Sequence, residues 1–151
     1  MIKVVIFDFD LTLYDSSKLK PLMDSRKWSS VYKEIKNNHF YDGVIETLEE
    51  LKSSGIKIAI VSNAPSSYIN KVLSFYDVEV DLVIAYHDVI KHKPSPEGVY
   101  KVIEHFNISK NETFYVGDND VDIDTAKNSE IEFYGVKWGS FSTDVSIYNF
   151  K

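Results

Sequence analysis

The sequence predicts an α/β fold in which a five-stranded parallel sheet lies between two layers of helices. Short runs rich in Val, Ile, Phe and Tyr alternate along the chain with stretches whose apolar residues recur every three or four positions. Strands that alternate with helices form parallel sheets, because each connecting helix crosses over one face of the sheet. The length of 151 residues and the apolar fraction of 44% fit one domain with a substantial core.

Five runs have the composition of buried strands. The first extends from Ile2 to Phe7 and is almost wholly apolar, and four later runs share its content of β-branched and aromatic residues. In chain order the predicted strands are residues 2–7, 56–61, 81–85, 113–116 and 131–136.

Apolar residues at helical spacing predict a helix in each interval between these strands. The interval before the second strand carries Val44, Leu48 and Leu51 at this spacing, with Asp42 as a candidate cap before them and Gly55 after them. The remaining helices are predicted at residues 68–76, at residues 99–106 and, as a shorter helix, after Asp120. Crossover helices of this kind cover both faces of the sheet.

Composition and charge exclude several classes of function. The net charge of −6 and the pI of about 5.2 disfavour a nucleic-acid partner, because binding to phosphate backbones requires a basic surface. No apolar stretch reaches the roughly 18 residues of a membrane-spanning helix, and the first segment is too short and too acidic for a signal peptide. The absence of cysteine excludes disulfides and thiolate metal sites and fits a cytoplasmic protein.

Polar side chains follow four of the predicted strands. Two like-charged aspartates follow the first strand, which a folding argument alone does not explain, because carboxylates near a core are costly unless something binds them. The carboxyl ends of parallel strands meet at one edge of the sheet, and ligands bind beyond that edge. The side chains delivered there are Asp8, Asp10, Ser62, Asn63, Lys93 and Asp118.

Each of these features also has an ordinary structural explanation. A Ser-Asn pair commonly forms a turn, a Lys-Pro pair commonly lies in an exposed loop, and Asp118 or Asp120 can cap a helix. Four such features at matching strand ends nevertheless favour one shared site.

The residue types at this edge suit phosphoryl chemistry with a divalent cation. Clustered carboxylates without cysteine or paired histidines favour a hard cation with oxygen ligands, above all Mg²⁺. A hydroxyl, backbone amides and a lysine suit the oxygens of a phosphoryl group. Of the two aspartates after the first strand, one can attack phosphorus while the other protonates the leaving group.

Four motifs stand at these strand ends in the order DFDLT, SN, KP and GDNDVD. They resemble the four motifs of the haloacid dehalogenase-like (HAD) hydrolases, and the resemblance covers the chain from Val4 to about Gly139. The stretches VGDNDVDIDTAKNS and GVKWGS are most similar to the phosphoglycolate phosphatase-like branch of the family. The resemblance implies a three-layer, Rossmann-like fold with strand order 5-4-1-2-3, counting the five predicted strands along the chain.

The resemblance implies catalytic and metal-binding roles residue by residue. Asp8 is implied to be the nucleophile that forms an aspartyl-phosphate. Asp10 is implied to be the general acid, which later activates water as a base. Mg²⁺ is implied to bind the carboxylate of Asp8, the backbone carbonyl of Asp10 and the carboxylate of Asp118. The implied activity is that of a Mg²⁺-dependent phosphatase acting on phosphate monoesters.

Further residues are implied to bind the phosphate or to support the site. Ser62 and the backbone of Asn63 are implied to bind phosphate oxygens, and Lys93 to bridge the phosphate and the nucleophile. Asp122 is implied to support the metal site or Lys93, and Thr12 to brace the loop after the first strand.

The segment between the first two motifs is shorter than in most members of the family, where it forms a helical cap over the substrate. Here residues 15–40 are available, and their one clear predicted helix is residues 24–37, with Trp28 and Val31 on one face. We therefore expect one domain, residues 1–151, with residues 15–40 as a reduced cap insert. The insert either packs on the core or lies over the site as a flap, and in both cases the site is more open than in capped members. The tail SFSTDVSIYNFK either adds an edge strand or extends from the fold.

Several alternatives to a phosphatase of small phosphorylated molecules remain open from the sequence. A phosphotransferase or mutase would use the same residues, although a small cap leaves little to exclude water. A non-catalytic phosphate-binding module is disfavoured by the complete set of Asp8, Asp10, Ser62, Lys93 and Asp118. An open site would also accept a phosphoprotein, whereas the net charge disfavours nucleic-acid phosphates. A homo-oligomer, in which a second subunit walls the site, is also compatible with the sequence.

Overall fold

The structure, a computed structural model, describes residues 1–139 and the short strand at residues 147–148. Within these residues, no helix has the length and apolar content needed to cross a membrane. In chain order the strands and α-helices are β1 (Val4–Phe7), β2 (Tyr14–Asp15), α1 (Lys20–Asp24), α2 (Trp28–Glu34), β3 (His39–Phe40), α3 (Val44–Ser53), β4 (Lys57–Val61), α4 (Ser66–Phe75), β5 (Leu82–Ile84), α5 (Glu97–Phe106), β6 (Thr113–Gly117), α6 (Asp120–Ser129), β7 (Glu132–Gly135) and β8 (Ile147–Tyr148). Short 3-10 helices lie at Ser17–Leu19, Ile35–Asn37, Tyr86–Asp88 and Lys110–Glu112.

In the described part of the chain, six strands form the main sheet in the order β5-β4-β1-β6-β7-β8. The first five run parallel, and β1 at the centre pairs with β4 (Val4 opposite Lys57) and with β6 (Val4 opposite Thr113). For the five predicted strands this confirms the expected order, read from the opposite edge. At the edge beside β7, β8 adds a further, antiparallel strand, so residues 147–148 follow the alternative in which the tail adds an edge strand. The rest of the tail, residues 140–146 and 149–151, lies outside the described residues.

Alternate residues of β1 face opposite layers of helices, as the pleat of a strand requires. Val5 and Phe7 pack in a core with side chains of α3 and α4, whereas Val4 and Ile6 pack with side chains of α5 and α6. All four are buried. Burial of one such side chain stabilises a fold by about 1.5–3 kcal/mol, so the strand that carries the first motif is held from both faces. The predicted three-layer α/β fold is confirmed.

The two ends of α3 show one capping prediction that is wrong and one that is confirmed. The cap position is occupied by Gly43 rather than by Asp42, with a left-handed φ of 83° and no side-chain cap bond. Glycine is suited to this turn because it adopts positive φ without a steric penalty. At the other end the chain leaves the helix through Gly55, whose φ is 79°.

The prediction of one helix at residues 24–37 is confirmed for residues 28–37, which form α2 and the 3-10 helix after it, and is wrong at its start. The insert instead forms two short helices, α1 and α2, joined by a turn in which Arg26 has a left-handed φ of 56°. Leu19, just before α1, and Val31, in α2, are both buried in the same core. If Leu19 and Val31 lay in one uninterrupted helix, their side chains would point about 120° apart. The turn allows both to reach the core.

The insert is anchored on the layer of helices that contains α4. Val31 and Ile35 are buried, and the backbone carbonyl of Ile35 accepts hydrogen bonds from the hydroxyls of Tyr14 (2.8 Å) and Tyr76 (3.1 Å). At the two ends of the insert, β2 and β3 pair antiparallel, with Tyr14 opposite Phe40. The insert therefore packs on the core, where α2 contacts α4.

Candidate active site

The carboxyl edge of the sheet holds a buried group of carboxylates. Asp8 follows β1 directly, and its backbone N–H donates a hydrogen bond to the carbonyl of Val116 on β6 (2.9 Å). Because β1 and β6 are neighbours, Asp8 lies beside Asp118, which follows β6. Carboxylate oxygens of Asp8, Asp118 and Asp122 lie within 4.8 Å of one another, and all three residues are buried. Like charges this close repel each other, so the group requires positive charge nearby.

Lys93 supplies one positive charge to this group. Its ammonium lies 2.9 Å from Oδ1 of Asp8, 2.7 Å from Oδ1 of Asp122 and 3.1 Å from the hydroxyl of Tyr115. Burial by itself lowers the pKa of Lys93, but its interactions with Asp8, Tyr115 and Asp122 raise the pKa well above the ordinary 10.5. Lys93 therefore remains charged, although its side chain is only 7% exposed.

The carboxylates carry more negative charge than one ammonium offsets. Burial raises the pKa of Asp8 from 3.8 to about 6, Lys93 opposes the rise and Asp118 adds to it. Burial likewise raises the pKa of Asp122 to about 6, with Asp8 adding to the rise and Lys93 opposing it. A hard divalent cation with oxygen ligands would offset the remaining charge, so this donor set fits Mg²⁺.

Thr12 connects two of the carboxylates. It lies in the turn after β1 and is buried, and its hydroxyl is 2.9 Å from Oδ1 of Asp118 and 3.4 Å from Oδ2 of Asp8. The turn contains Leu11 in the left-handed region, with a φ of 64°. The side chain of Thr12 therefore links the turn after β1 to Asp118, which follows the neighbouring strand.

Ser62 and Asn63 follow β4 at the same edge of the sheet. Ser62 is buried, and its Oγ accepts a hydrogen bond from the backbone N–H of Ala64 (3.0 Å). The side chain of Asn63 donates to the backbone carbonyl of Lys93 (3.2 Å) and accepts from its N–H (3.0 Å). This double hydrogen bond ties the second motif to the third. The sequence predicts a role only for the backbone of Asn63, because the approach of the two loops depends on the fold.

Asp10 lies two residues beyond Asp8 in different surroundings. Its Oδ1 accepts a hydrogen bond from the hydroxyl of Tyr68 (2.6 Å), whose side chain is fully buried. Burial raises the pKa of Asp10, and hydrogen bonds from Tyr68 and Ser16 oppose that rise. The sequence predicts Tyr68 only as part of the apolar face of a helix, since helical spacing does not indicate the partner of a hydroxyl.

Residues 20–136 match the protein family described as haloacid dehalogenase-like hydrolase. The chain belongs to the HAD hydrolases. The predicted family is therefore confirmed, on a match that takes in most of the chain and all of the site residues after Thr12. A solved HAD-superfamily hydrolase from Ehrlichia chaffeensis has a TM-score of 0.71 and 25% identity, over 93% of this chain and 90% of that chain.

Two sequence relatives of this HAD hydrolase carry the names of enzymes. Pyrophosphatase PpaX from Bacillus mycoides (strain KBAB4) is 31% identical over 132 residues, which cover 82% of this chain and 59% of that protein. Phosphoglycolate phosphatase from Aquifex aeolicus (strain VF5) is 25% identical in an alignment 193 residues long, which covers 98% of this chain and 91% of that protein. The chain spans less than two thirds of the length of the pyrophosphatases that it matches.

Three further residues contact the candidate site and were not identified from the sequence as site residues. The hydroxyl of Tyr115 lies 3.2 Å from Oδ1 of Asp122, and Nε1 of Trp138 donates to the backbone carbonyl of Thr12 (3.0 Å). A Cβ added to Gly139 would lie 2.7 Å from Cβ of Asp118. The strand pattern indicates only that Tyr115 is a core residue. The motif GVKWGS contains the other two and is the signal that could have indicated them.

Proposed function

We propose that this HAD hydrolase is a Mg²⁺-dependent phosphatase that hydrolyses phosphate monoesters through an aspartyl-phosphate on Asp8. The observation that carries the proposal is the buried contact between Asp8 and Lys93 (2.9 Å) beside Asp118 and Asp122. A carboxylate between an ammonium and a candidate cation site is well placed to attack a phosphoryl group, because both positive charges attract the phosphoryl oxygens.

Ser62, Asn63 and Lys93 are the proposed phosphate ligands. Because β4 ends at Val61, the hydroxyl of Ser62 and the backbone N–H groups that follow lie at the same edge of the sheet as Asp8. The double hydrogen bond between Asn63 and Lys93 holds the two loops at a fixed separation. Donors that are fixed before the substrate arrives favour binding of the phosphoryl group in a reactive orientation.

In the proposed first step, a carboxylate oxygen of Asp8 attacks phosphorus, and the bond from phosphorus to the leaving oxygen breaks as Asp10 protonates that oxygen. In the second step, Asp10 removes a proton from water, whose oxygen attacks phosphorus and displaces the carboxylate of Asp8. Phosphate then leaves, and both carboxyl groups have their starting protonation. The two steps need a charged Asp8 and a protonated Asp10. The contact with Lys93 favours the charged form of Asp8, and burial raises the pKa of Asp10, which favours its protonated form.

Asp8, the backbone carbonyl of Asp10 and Asp118 are the proposed Mg²⁺ ligands. Asp122 already accepts hydrogen bonds from Lys93 (2.7 Å) and from the backbone N–H of Asp118 (3.1 Å). These bonds support a role for Asp122 in holding Lys93 and Asp118 rather than in binding the cation. When bound, Mg²⁺ would offset the negative charge of the phosphoryl group and of its ligands.

The proposed substrate class is small phosphorylated molecules. Relatives named as a pyrophosphatase and as a phosphoglycolate phosphatase support this class, and the net charge of −6 disfavours phosphates of nucleic acids. The insert packs beside α4 and gives the site less enclosure than a helical cap would. No contact among the described residues favours phosphoryl transfer to a second substrate over hydrolysis.

The test is a measurement of phosphate release from a panel of phosphorylated metabolites and pyrophosphate. Each compound is incubated with the wild type in Mg²⁺, with the wild type in EDTA and with the Asp8→Asn variant in Mg²⁺. Release is expected only from the wild type in Mg²⁺, with the variant slower by at least about a thousandfold because it lacks the nucleophile. Full activity in EDTA, or a folded variant that retains about a tenth of the wild-type rate, would contradict the proposal.

A further inference from the structure

We propose that Tyr68 is a positioning residue for Asp10, and that the insert holds Tyr68 in place through Trp28. The inference rests on the function proposed above, in which Asp10 is the general acid. It gives the reduced insert a part in the reaction that does not require closure over the substrate.

Tyr68 donates a hydrogen bond to Asp10. The hydroxyl of Tyr68 has one hydrogen, and it is donated to Oδ1 of Asp10 at 2.6 Å. Oδ2 is then the oxygen that carries the proton to be transferred. That proton passes to the leaving oxygen as the bond to phosphorus breaks, while Oδ1 keeps its bond to Tyr68. Without this bond the carboxyl group would keep only the hydrogen bond from Ser16 and could rotate more freely, because the terminal torsion of an aspartate has broad minima.

Rings of the core and of the insert pack around Tyr68. Its ring contacts Phe9 edge to face, with centroids 5.9 Å apart, and the ring of Trp28, with centroids 5.7 Å apart. One residue earlier, the hydroxyls of Ser67 and Tyr32 form a hydrogen bond (2.9 Å). Trp28 and Tyr32 lie one turn apart on α2 and therefore share a face. The insert thus contacts the first turn of α4 at two successive residues.

Trp28 is held in place by the anchored part of the insert that follows it. Further along the insert, Val31 and Ile35 are buried, and the carbonyl of Ile35 accepts hydrogen bonds from Tyr14 and Tyr76. A segment fastened in this way keeps its contact with Tyr68 whether or not a substrate is present. Asp10 is consequently oriented before the substrate binds, which lowers the cost of reaching the reactive geometry.

A purely structural explanation also exists for the bond between Tyr68 and Asp10. Buried hydroxyls almost always have a hydrogen-bond partner, and Asp10 would provide one. The two explanations differ in the expected properties of Tyr68→Phe. If the bond only satisfies a buried hydroxyl, the variant loses stability, and its rates with different substrates change in proportion.

The kinetic test compares two leaving groups in single-turnover release of the alcohol. An aryl phosphate such as p-nitrophenyl phosphate needs little protonation of its leaving oxygen, whereas an alkyl phosphate needs it strongly. Tyr68→Phe should slow release from the alkyl phosphate by about tenfold or more, and from the aryl phosphate by less than about threefold. Equal slowing with the two substrates, or unchanged release from the alkyl phosphate, would overturn the proposal.

Tyr76→Phe is the matched control. Tyr68 lies in α4, and Tyr76 follows the last residue of the same helix. The hydroxyl of Tyr76 donates to backbone carbonyls of the insert, those of Ile35 and Asn38. Removing this hydroxyl leaves Val31 and Ile35 buried and keeps the hydrogen bond from Tyr14 to Ile35, so it should lower stability without changing the ratio of alkyl to aryl rates. A changed ratio in this control would show that loosening the insert anywhere has the same effect, and would remove the specific role of Tyr68.

The role of the insert is tested at Trp28. Trp28→Ala removes the ring that contacts Tyr68 and should reproduce part of the bias against the alkyl phosphate, whereas Trp28→Phe keeps a ring there and should restore the wild-type ratio. An alanine variant with the wild-type ratio would overturn the part of the proposal that concerns the insert.

Crystal structures of the wild type and of Tyr68→Phe separate this inference from the proposed function. If the wild type releases no phosphate from any ester, the proposed function fails, and the orientation of Asp10 in the two crystals decides the positioning role. A carboxyl group that changes orientation or becomes disordered in Tyr68→Phe supports the role. An unchanged, single orientation overturns it.

Discussion

Lys93 and Lys110 each lie 2.7 Å from a carboxylate oxygen, but the side chain of Lys93 is 7% exposed and that of Lys110 is 39% exposed. Removing one partner of a buried pair leaves a charge without compensation, whereas surface pairs contribute little. Lys93→Met should therefore lower the free energy of unfolding in EDTA by about 3 kcal/mol, and Lys110→Met should leave it almost unchanged. Denaturant titrations of both variants at pH 7 provide the measurement. Similar losses for the two would show that burial does not set the cost at Lys93.

Gly139 limits where Asp118 can lie. A Cβ at this position would collide with the backbone carbonyl of Leu11 and would come within 2.7 Å of Cβ of Asp118. Gly139→Ala should displace Asp118 and weaken Mg²⁺ binding by about tenfold or more, as measured by calorimetry.

Gly55→Ala is the control for this substitution. Gly55 has a φ of 79°, and an added Cβ would meet nothing within 4 Å. This variant should lose stability through backbone strain and keep the Mg²⁺ affinity of the wild type. Equal affinities in all three proteins would show that the loop at Gly139 does not position Asp118.

At the residue scale, the sequence predicts the groups at strand ends but not their partners. Asp8, Ser62 and Asp118 can be placed together because parallel strands end at a common edge. The contact between Tyr68 and Asp10 joins residues 58 positions apart. Neither residue's local pattern encodes it, because it depends on how α4 packs on the turn after β1.

At the element scale, the insert should make substrate recognition permissive. Its two helices have 5 and 7 residues, and elements this short can hardly enclose a pocket of about 300 Å³ or more. Measured kcat/KM values should vary modestly across small phosphate esters, because recognition rests on the phosphoryl group. A single ester favoured by a factor of about 10⁴ in a protein that is monomeric by light scattering would contradict this. The same preference in an oligomer would indicate a wall supplied by a second subunit.

The central elements could be predicted, whereas the break in the insert could not. Strand and helix periodicities are strong between residues 44 and 136, and the observed elements follow them. The turn at Arg26 contains neither glycine nor proline. A non-glycine residue in this conformation costs about 1–2 kcal/mol, and the burial of Leu19 and Val31 offsets that cost. Local sequence therefore gives no signal for a turn that tertiary packing imposes.

For the whole molecule, the buried carboxylates should make stability depend on pH and on metal. The pKa of Asp8 and that of Asp122 are raised from 3.8 to about 6, so the folded state binds protons more tightly than the unfolded state. The associated stability is present at low pH and is lost as the pH rises through about 6. In EDTA at pH 7, Asp8→Asn should be more stable than the wild type by on the order of 1–3 kcal/mol, and the difference should shrink towards pH 4.

In Mg²⁺ at pH 7, the wild type should instead be more stable than Asp8→Asn. Mg²⁺ binds charged ligands, so it should stabilise the wild type at pH 7 more than at pH 5, and Asp8→Asn less than the wild type at either pH. Thermal unfolding in EDTA and in Mg²⁺ at the two pH values gives the comparison. Equal stability of the two proteins in EDTA at pH 7 would show that the buried charge of Asp8 does not destabilise the fold.

The central position of β1 has a further effect during synthesis on the ribosome. This strand is synthesised before both of its neighbours in the sheet, because Val4 pairs with Lys57 and with Thr113. At a synthesis rate of about 5–20 residues per second, the second pairing partner emerges roughly 5–20 s after β1. During that interval VVIF is an apolar strand with two unpaired edges, a segment prone to associate with other nascent chains. Asp8 and Asp10 follow it immediately, and charges that flank such a segment oppose aggregation. We therefore expect the two aspartates to oppose aggregation of the nascent chain before the sheet is complete.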